Sequence, residues 1–465
     1  MSKCRRLLVL VAAILVIAAV VGISCWRSNH IDTDAILANS VLKNKTFGVK
    51  VQQIEADGMR AYLLEEHSNP IVAVSFMFDN AGSAYEPENK QGLTALLSEM
   101  LLNGAGEYEA LQFKDVGEEY GIKLGFDASD DTFEGYLQMP KDSLNMGVKL
   151  FTAALYKPHF TLDYIAIVKK QLQTAIRNHS ERPEGVLSDK FSEIIFAGHP
   201  YSRPAIGKSE TVSGLNRGDL IGFMREHFTK NNLIIGIAGD INANEAERLI
   251  RDLFGRLPRQ FAENTLDEYK IGSSGAVHRV EREAPQAITA FVTAGTHRNS
   301  KDFYPLYVAN HIFGGAGLNS RISKVIREEN GLTYGIYTYL SNKKSAVMLA
   351  GGYASTPENF ENARQLLLLQ WRQMAQNGVT AEELQQAKDS LIASHNLRFA
   401  STGGIADMLV AMQQYNLGAD FLEKRNDYIR NLTLDEVNAA AAKYYAAAPD
   451  FVIIGAPKVT EKGEK

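Results

Sequence analysis

Alternation and helical spacing divide the chain into two runs of similar elements. Residues 49–56 and 60–64, on either side of Asp57-Gly58, read as a hairpin, and Ile71–Phe78 as a buried strand. Leu93, Leu96, Leu97, Met100 and Leu101 then recur on one helical stripe, which puts Ala95, Ser98 and Glu99 on the opposite face of a helix over 91–102. Strands are expected near 122–127 and 133–139, and helices over 142–156, 161–179, 186–197 and 219–228. The strand Leu233–Ala238 closes the first run. Residues 259–275 lose periodicity and read as a linker.

The second run repeats the plan. It has a strand at Ala287–Thr293, helices over 303–313 and 320–329, and a strand over 346–353. Three helical patterns between 360 and 430 and a last strand at Phe451–Gly455 complete it. The ends of the runs superimpose at an offset of 217, with Asp219, Leu220, His227 and Phe228 on Glu436, Val437, Tyr444 and Tyr445. The expected fold class is therefore α+β: two homologous halves, each a mostly antiparallel sheet packed with helices. The boundaries are 48–258 for the first half and 276–458 for the second.

The amino terminus belongs to neither half. Lys3, Arg5 and Arg6 precede an uncharged stretch, Leu7 to Trp26, followed by Arg27. Residues 1–29 thus read as a signal peptide or membrane anchor. The apolar run is long enough to span a bilayer and longer than a cleaved signal usually carries, which favours a retained anchor and leaves cleavage open. Ser24-Cys25 also offers a lipidation point, though Gly22 replaces the usual larger aliphatic residue. The expected location is the periplasm or the periplasmic face of the inner membrane. Cys4 and Cys25 are the only cysteines, so the exported body has no thiol for catalysis, metal binding or disulfides.

Charge narrows the function further. The formal charge of the 465 residues is -5, and it is -9 without the first 30, which carry four cations and no acid. An acidic body lacks the basic face that nucleic acid requires.

The segment from Asn80 to Glu86, followed by Gly92 to Leu101, resembles the pitrilysin/insulysin family of zinc peptidases, which includes the mitochondrial processing peptidases. Gly198 to Gly207 is similar to a second family landmark, and Ser320-Arg321 through Arg327-Glu328 to Gly331-Leu332-Thr333-Tyr334 to a third. The resemblance runs from about 48 to 458 and implies a clamshell arrangement of the halves. Active members carry H-x-x-E-H on the early helix: two histidines hold zinc and the glutamate is the base. The matching positions here are Ala95, Ser98 and Glu99, and the third ligand falls at Ala175. One carboxylate does not retain zinc, so no cofactor is expected in this chain.

The resemblance also implies a role for Arg327 and Tyr334. Family enzymes bring such a pair, seven residues apart, to the zinc cleft to bind substrate and the oxyanion. Strand residues Gly125, Phe126, Asp127, Ala128 and Ser129 align with the edge on which a peptide adds as an extra strand. They read equally as an ordinary edge blunted by Asp127, Asp130 and Asp131. His199 reads as a structural hydrogen-bonder.

The expected function is that of a non-catalytic subunit of an envelope zinc peptidase. It would pair with an H-x-x-E-H homologue that holds the zinc, and would share a peptide substrate with it. The alternative is a stand-alone peptide-binding or scaffold protein that has lost proteolysis.

Overall fold

The computed structural model describes residues 50–260, 264–395 and 399–455. The expected leader at 1–29, residues 261–263 of the linker and the last residues assigned to the second half lie outside them. No described helix is long and apolar enough to cross a membrane. The described residues form one compact unit.

The first sheet has the order β1-β2-β6-β3-β5-β4, from Gln52–Ala56 (β1), Met59–Glu65 (β2), Ile71–Asp79 (β3), Lys123–Ala128 (β4), Thr132–Pro140 (β5) and Leu233–Gly239 (β6). The second has the order β7-β11-β8-β10-β9, from Val277–Val280 (β7), Ala287–Ala294 (β8), Gly335–Lys343 (β9), Ala346–Ser355 (β10) and Asp450–Ile454 (β11). Each sheet is antiparallel except for one parallel pair, β2 with β6 and β7 with β11. The helices of the first run are Leu93–Met100 (α1), Ala110–Glu119 (α2), Leu144–Tyr156 (α3), Leu162–Glu181 (α4), Pro183–Ile195 (α5), Ser209–Gly214 (α6), Arg217–His227 (α7) and Ala243–Phe254 (α8). Those of the second are Phe303–Asn310 (α9), Phe360–Asn377 (α10), Ala381–His395 (α11), Thr402–Gln414 (α12), Phe421–Arg430 (α13) and Leu434–Tyr444 (α14).

The duplication is visible in packing. Phe76 on β3 lies opposite Gly135 on β5, and Phe291 on β8 lies opposite Gly351 on β10. A Cβ on Gly135 would meet the Phe76 ring at 2.4 Å, and one on Gly351 the Phe291 ring at 2.3 Å, so each glycine makes room for its cross-strand aromatic. The offset of 217 also joins two capping boxes. Asn216 with Asp219 opens α7, and Thr433 with Glu436 opens α14. The partners at the far ends, Phe228 and Tyr445, are both buried among aromatics.

Each sheet buries one face under its own helices. Phe76, Phe78, Phe133 and Phe151 belong to the first core, and Phe291, Phe313, Trp371 and Phe451 to the second. The other faces are covered by exchange. The first half's α5 packs on β8 and β11, where Leu187, Ile195 and Phe196 meet Val292, Val452 and Ile454. The second half's α12 packs on β2, β3 and β6. There Ser75 Oγ donates to Asp407 at 2.5 Å and Gln413 Nε2 to the Ile235 carbonyl at 2.6 Å.

The halves are also joined at the β9–β10 turn. The Lys344 amide donates to Asp131 at 2.9 Å, and its ammonium reaches Asp79 and Asn80 at 2.5 Å each. Lys343 pairs with Asp130. The Tyr201 hydroxyl bonds the other Asp131 oxygen and accepts from the Ser345 amide at 3.1 Å.

Several expectations need correction. Helix α8 follows β6, so that strand does not close the first run. The capping box of α8 at Asn242 and Glu245 and its stripe of Ala246, Leu249, Ile250, Leu253 and Phe254 were the signals overlooked. Helices α2 and α6 and strands β7 and β9 were also unforeseen. Among the described residues, four helices and not three lie within 360–430. The 303–313 helix passes at His311 into a π-helical turn, and the 320–329 helix is π-helical over Ser323–Glu329.

The α12 seat leaves no space for a larger residue on β6. A Cβ on Gly236 would lie 2.3 Å from the Ala406 carbonyl. Gly236→Val should therefore push α12 away and cost about 3 kcal/mol or more. Denaturant unfolding of the variant against the parent checks this.

Candidate functional site

Helix α1 is where the metal centre was expected. It packs on β4, α4 and α7, so little of it reaches solvent. Ala95 is half-buried and Glu99 exposed, as the stripe predicts, but Ser98 is 8% exposed rather than projecting from a polar face. Its hydroxyl donates to the Ala95 carbonyl at 3.1 Å. The helix is buried on more than its apolar stripe, because β4, α4 and α7 all pack against it. Ala175 lies on α4 and is exposed.

The start of α1 is held by a residue that sequence reasoning quoted only as part of a motif. Glu86 is buried and accepts from the Gly92 amide at 2.8 Å and from the Thr94 amide and hydroxyl at 2.6 Å each. It thus takes up free donors of the first turn from outside the helix. Burial pushes its carboxyl from the ordinary 4.5 up to about 7, outweighing these bonds and the nearby Arg203. Arg203, from the Gly198–Gly207 landmark, donates to the Glu86 carbonyl at 3.0 Å. That landmark therefore braces the entry to α1.

His199 in the same landmark is a structural hydrogen-bonder. Its Nδ1 accepts from the Tyr201 amide at 3.2 Å, which leaves Nε2 to donate to the Asp267 carbonyl at 3.2 Å. Burial holds its imidazole below the usual histidine value.

Strand β4 ends its sheet and pairs only with β5, so Gly125, Phe126, Asp127 and Ala128 lie on an edge. Ser129 does not extend it. That residue sits in the tight turn to β5, and its carbonyl accepts from the Ser83 amide at 2.9 Å. Asp130 and Asp131 do not blunt the edge either, because they face the β9–β10 turn as anchors for Lys343 and Lys344. Among the three acids, Asp127 alone is exposed.

Arg327 and Tyr334 lie in the second half. The π-helical turn ends at Gly331, φ 63°, whose amide donates to the Arg327 carbonyl at 3.1 Å. The Arg327 Nε donates to the Tyr334 carbonyl at 2.9 Å, and the Tyr334 ring is 78% exposed. The segment packs against β9 and α10, whereas α1 packs within the first half. The pair and the degenerate metal positions therefore occupy different halves.

The profile of the insulinase family, peptidase family M16, matches residues 60–209, and that of the peptidase M16 inactive domain matches 214–391. The chain belongs to the M16 family. An uncharacterized zinc protease of Mycobacterium leprae is 26% identical over 79% of this chain and 84% of its own. The non-peptidase homolog YmxG of Helicobacter pylori is 24% identical over 80% and 86%. The peptidase M16 inactive domain from Pseudomonas fluorescens superimposes with a TM-score of 0.82 at 24% identity, covering 88% of this chain and 98% of that one. A protease from Helicobacter pylori gives 0.77 at 15% identity, covering 88% and 100%. The two sheet-and-helix halves are thus the two halves of the M16 clamshell fold.

The M16 zinc does not fit the residues present. Ala95 and Ala175 have no donor atom, and the Ser98 hydroxyl is spent on its own helix. Glu99 is a single carboxylate. Among the described residues, no group of three His, Cys, Asp or Glu is placed to hold a metal ion. In this M16 chain α1 is a packing helix.

Because the folded-state value of Glu86 lies above the ordinary one, its contribution to stability is complete below about pH 4.5 and is lost as pH rises through about 7. The stability of the parent relative to Glu86→Gln should therefore fall across that window and level off above it. Denaturation of both proteins at a series of pH values reads the difference, and a flat difference would mean a carboxylate charged throughout.

Proposed function

We propose that this chain is the non-catalytic subunit of an exported M16 peptidase. It pairs with an H-x-x-E-H homologue and lends Arg327 and Tyr334 to the partner's cleft. The observation that carries the reading is a division within the fold. The metal positions hold two alanines, a self-bonded serine and one exposed glutamate, while in the other half Arg327 is tied to the Tyr334 carbonyl and the Tyr334 phenol is exposed. A guanidinium and a phenol suit an oxyanion, since both donate and the first is charged. The partner supplies the zinc and the activated water, and this chain supplies hydrogen-bond donors to the substrate. The amino-terminal segment supports a place in the envelope.

A stand-alone peptide-binding role has its own support, the open β4 edge of Lys123–Ala128. It differs in requiring no partner: the purified chain would bind extended peptides alone.

The chain, its zinc-bearing homologue and their mixture should be assayed for peptide hydrolysis. The mixture alone should be active, and Arg327→Ala should lower its kcat by roughly 10²-fold, the usual cost of one lost oxyanion donor. Equal activity of the homologue by itself would overturn the reading.

A further inference from the structure

Away from α1 and β4, the loop between β8 and α9 places a guanidinium among rings. Arg298 lies 4.0 Å from the Phe303 centroid, 5.1 Å from Tyr304 and 5.5 Å from Phe421. Its Nη2 donates to the Tyr304 hydroxyl at 3.4 Å, while Nη1 is buried without a hydrogen-bond partner. Among the described residues no carboxylate pairs with it. The rings offset part of the cost of burying this charge and leave its hydrogen bonds unmet.

This guanidinium walls two cavities. The larger, about 550 Å³, is lined on its apolar side by Tyr304, Pro305, Leu417, Phe421, Tyr428 and Leu432. That is the size and character of a small-molecule site. The smaller, about 160 Å³, opens at the seam between the halves, where Asn342 Oδ1 also lacks a partner. The charges around the larger cavity do not cancel. Asp427 is held by Arg430, and Glu436 accepts from the Thr433 amide and hydroxyl at 2.8 and 2.9 Å. Lys424 is held by Asp420. Glu436 keeps its negative charge, so Arg298 and Lys301 leave the lining with one net positive charge.

We propose that the larger cavity binds an apolar carboxylate, its body against Tyr304, Phe421 and Tyr428 and its head against Arg298 and Lys301. Two sources share that chemistry: a free aromatic acid, and the last residue of a peptide. The site does not depend on the subunit reading, because none of its residues belongs to the pair or to an edge strand.

Calorimetric titration of the full chain with N-acetyl-Ala-Phe, its carboxyl-terminal amide and 3-phenylpropionate tests the proposal. The dipeptide acid should bind about tenfold or more tightly than its amide, since the charge-assisted contact is lost in the amide. Arg298→Gln should abolish that preference. Lys301→Glu, on the exposed rim, should weaken the acid several-fold with the melting temperature unchanged, and it carries the test if Arg298→Gln does not fold. Phenylpropionate binding as tightly as the dipeptide acid supports the free acid as ligand, and weaker binding supports a chain end. Equal affinity for acid and amide, no binding of either, or an affinity unmoved by Lys301→Glu overturns the proposal.

Discussion

The structure depends on a reciprocal exchange of helices. A sheet with one face packed on its own helices still has a second face to bury, and here each second face is buried by the other half: α5 lies on β8 and β11, and α12 lies on β2, β3 and β6. Neither half is complete alone, so residues assigned to one half by sequence stabilise the sheet of the other. The charged contacts at the β9–β10 turn add to this joint. Asp131 is buried, and burial raises its carboxyl above the usual range. It persists there because Tyr201 and the Lys344 amide occupy its oxygens.

The exchange leaves α1 to its own half, where it packs on β4, α4 and α7. A metal helix needs a wall left open to the cleft, with donors directed into it. In this chain Ala95 and Glu99 keep that wall partly open, but Ser98 is inside and its hydroxyl closes on its own backbone. The helix start is still held firmly, by Glu86 beneath the first turn and by Arg203 behind it. Glu86 and Arg203 thus fix the helix whether or not it carries metal ligands, because both act on its start and not on the Ala95–Glu99 face.

How much of this was legible in the sequence follows from which signals are local. The hairpin at Asp57-Gly58, the stripe from Leu93 to Leu101 and the offset of 217 are patterns of spacing, and each corresponds to an element or to a repeated packing feature. The capping boxes at Asn216 and Thr433 stand 217 apart for that reason. Exchange is not a local signal. Nothing in the spacing of α5 or α12 says which sheet receives them, and Ser98, Asp130 and Asp131 read as solvent-facing because the elements that cover them are distant in the chain. Arg298 was missed for the same reason. A lone arginine in a loop carries no motif, and its rings at Phe303, Tyr304 and Phe421 span more than a hundred positions.

The Arg327–Tyr334 segment poses the opposite question, why so much order surrounds an exposed ring. Gly331 closes the turn with its amide on Arg327, the Leu332 amide bonds the Ile326 carbonyl at 3.0 Å, and the Thr333 hydroxyl donates to Ala354 at 2.6 Å. Arg327 itself is drawn onto the Tyr334 carbonyl. A loop fixed at so many points ordinarily brings its aromatic residue inward, where burial offsets the entropy of ordering it. Here the ring faces outward, and along β9 Tyr337 and Tyr339 are 54% and 44% exposed beside it. Folding of the single chain gains little from that arrangement. The exposed rings thus owe their order to the hydrogen bonds of the backbone that carries them and not to their own burial.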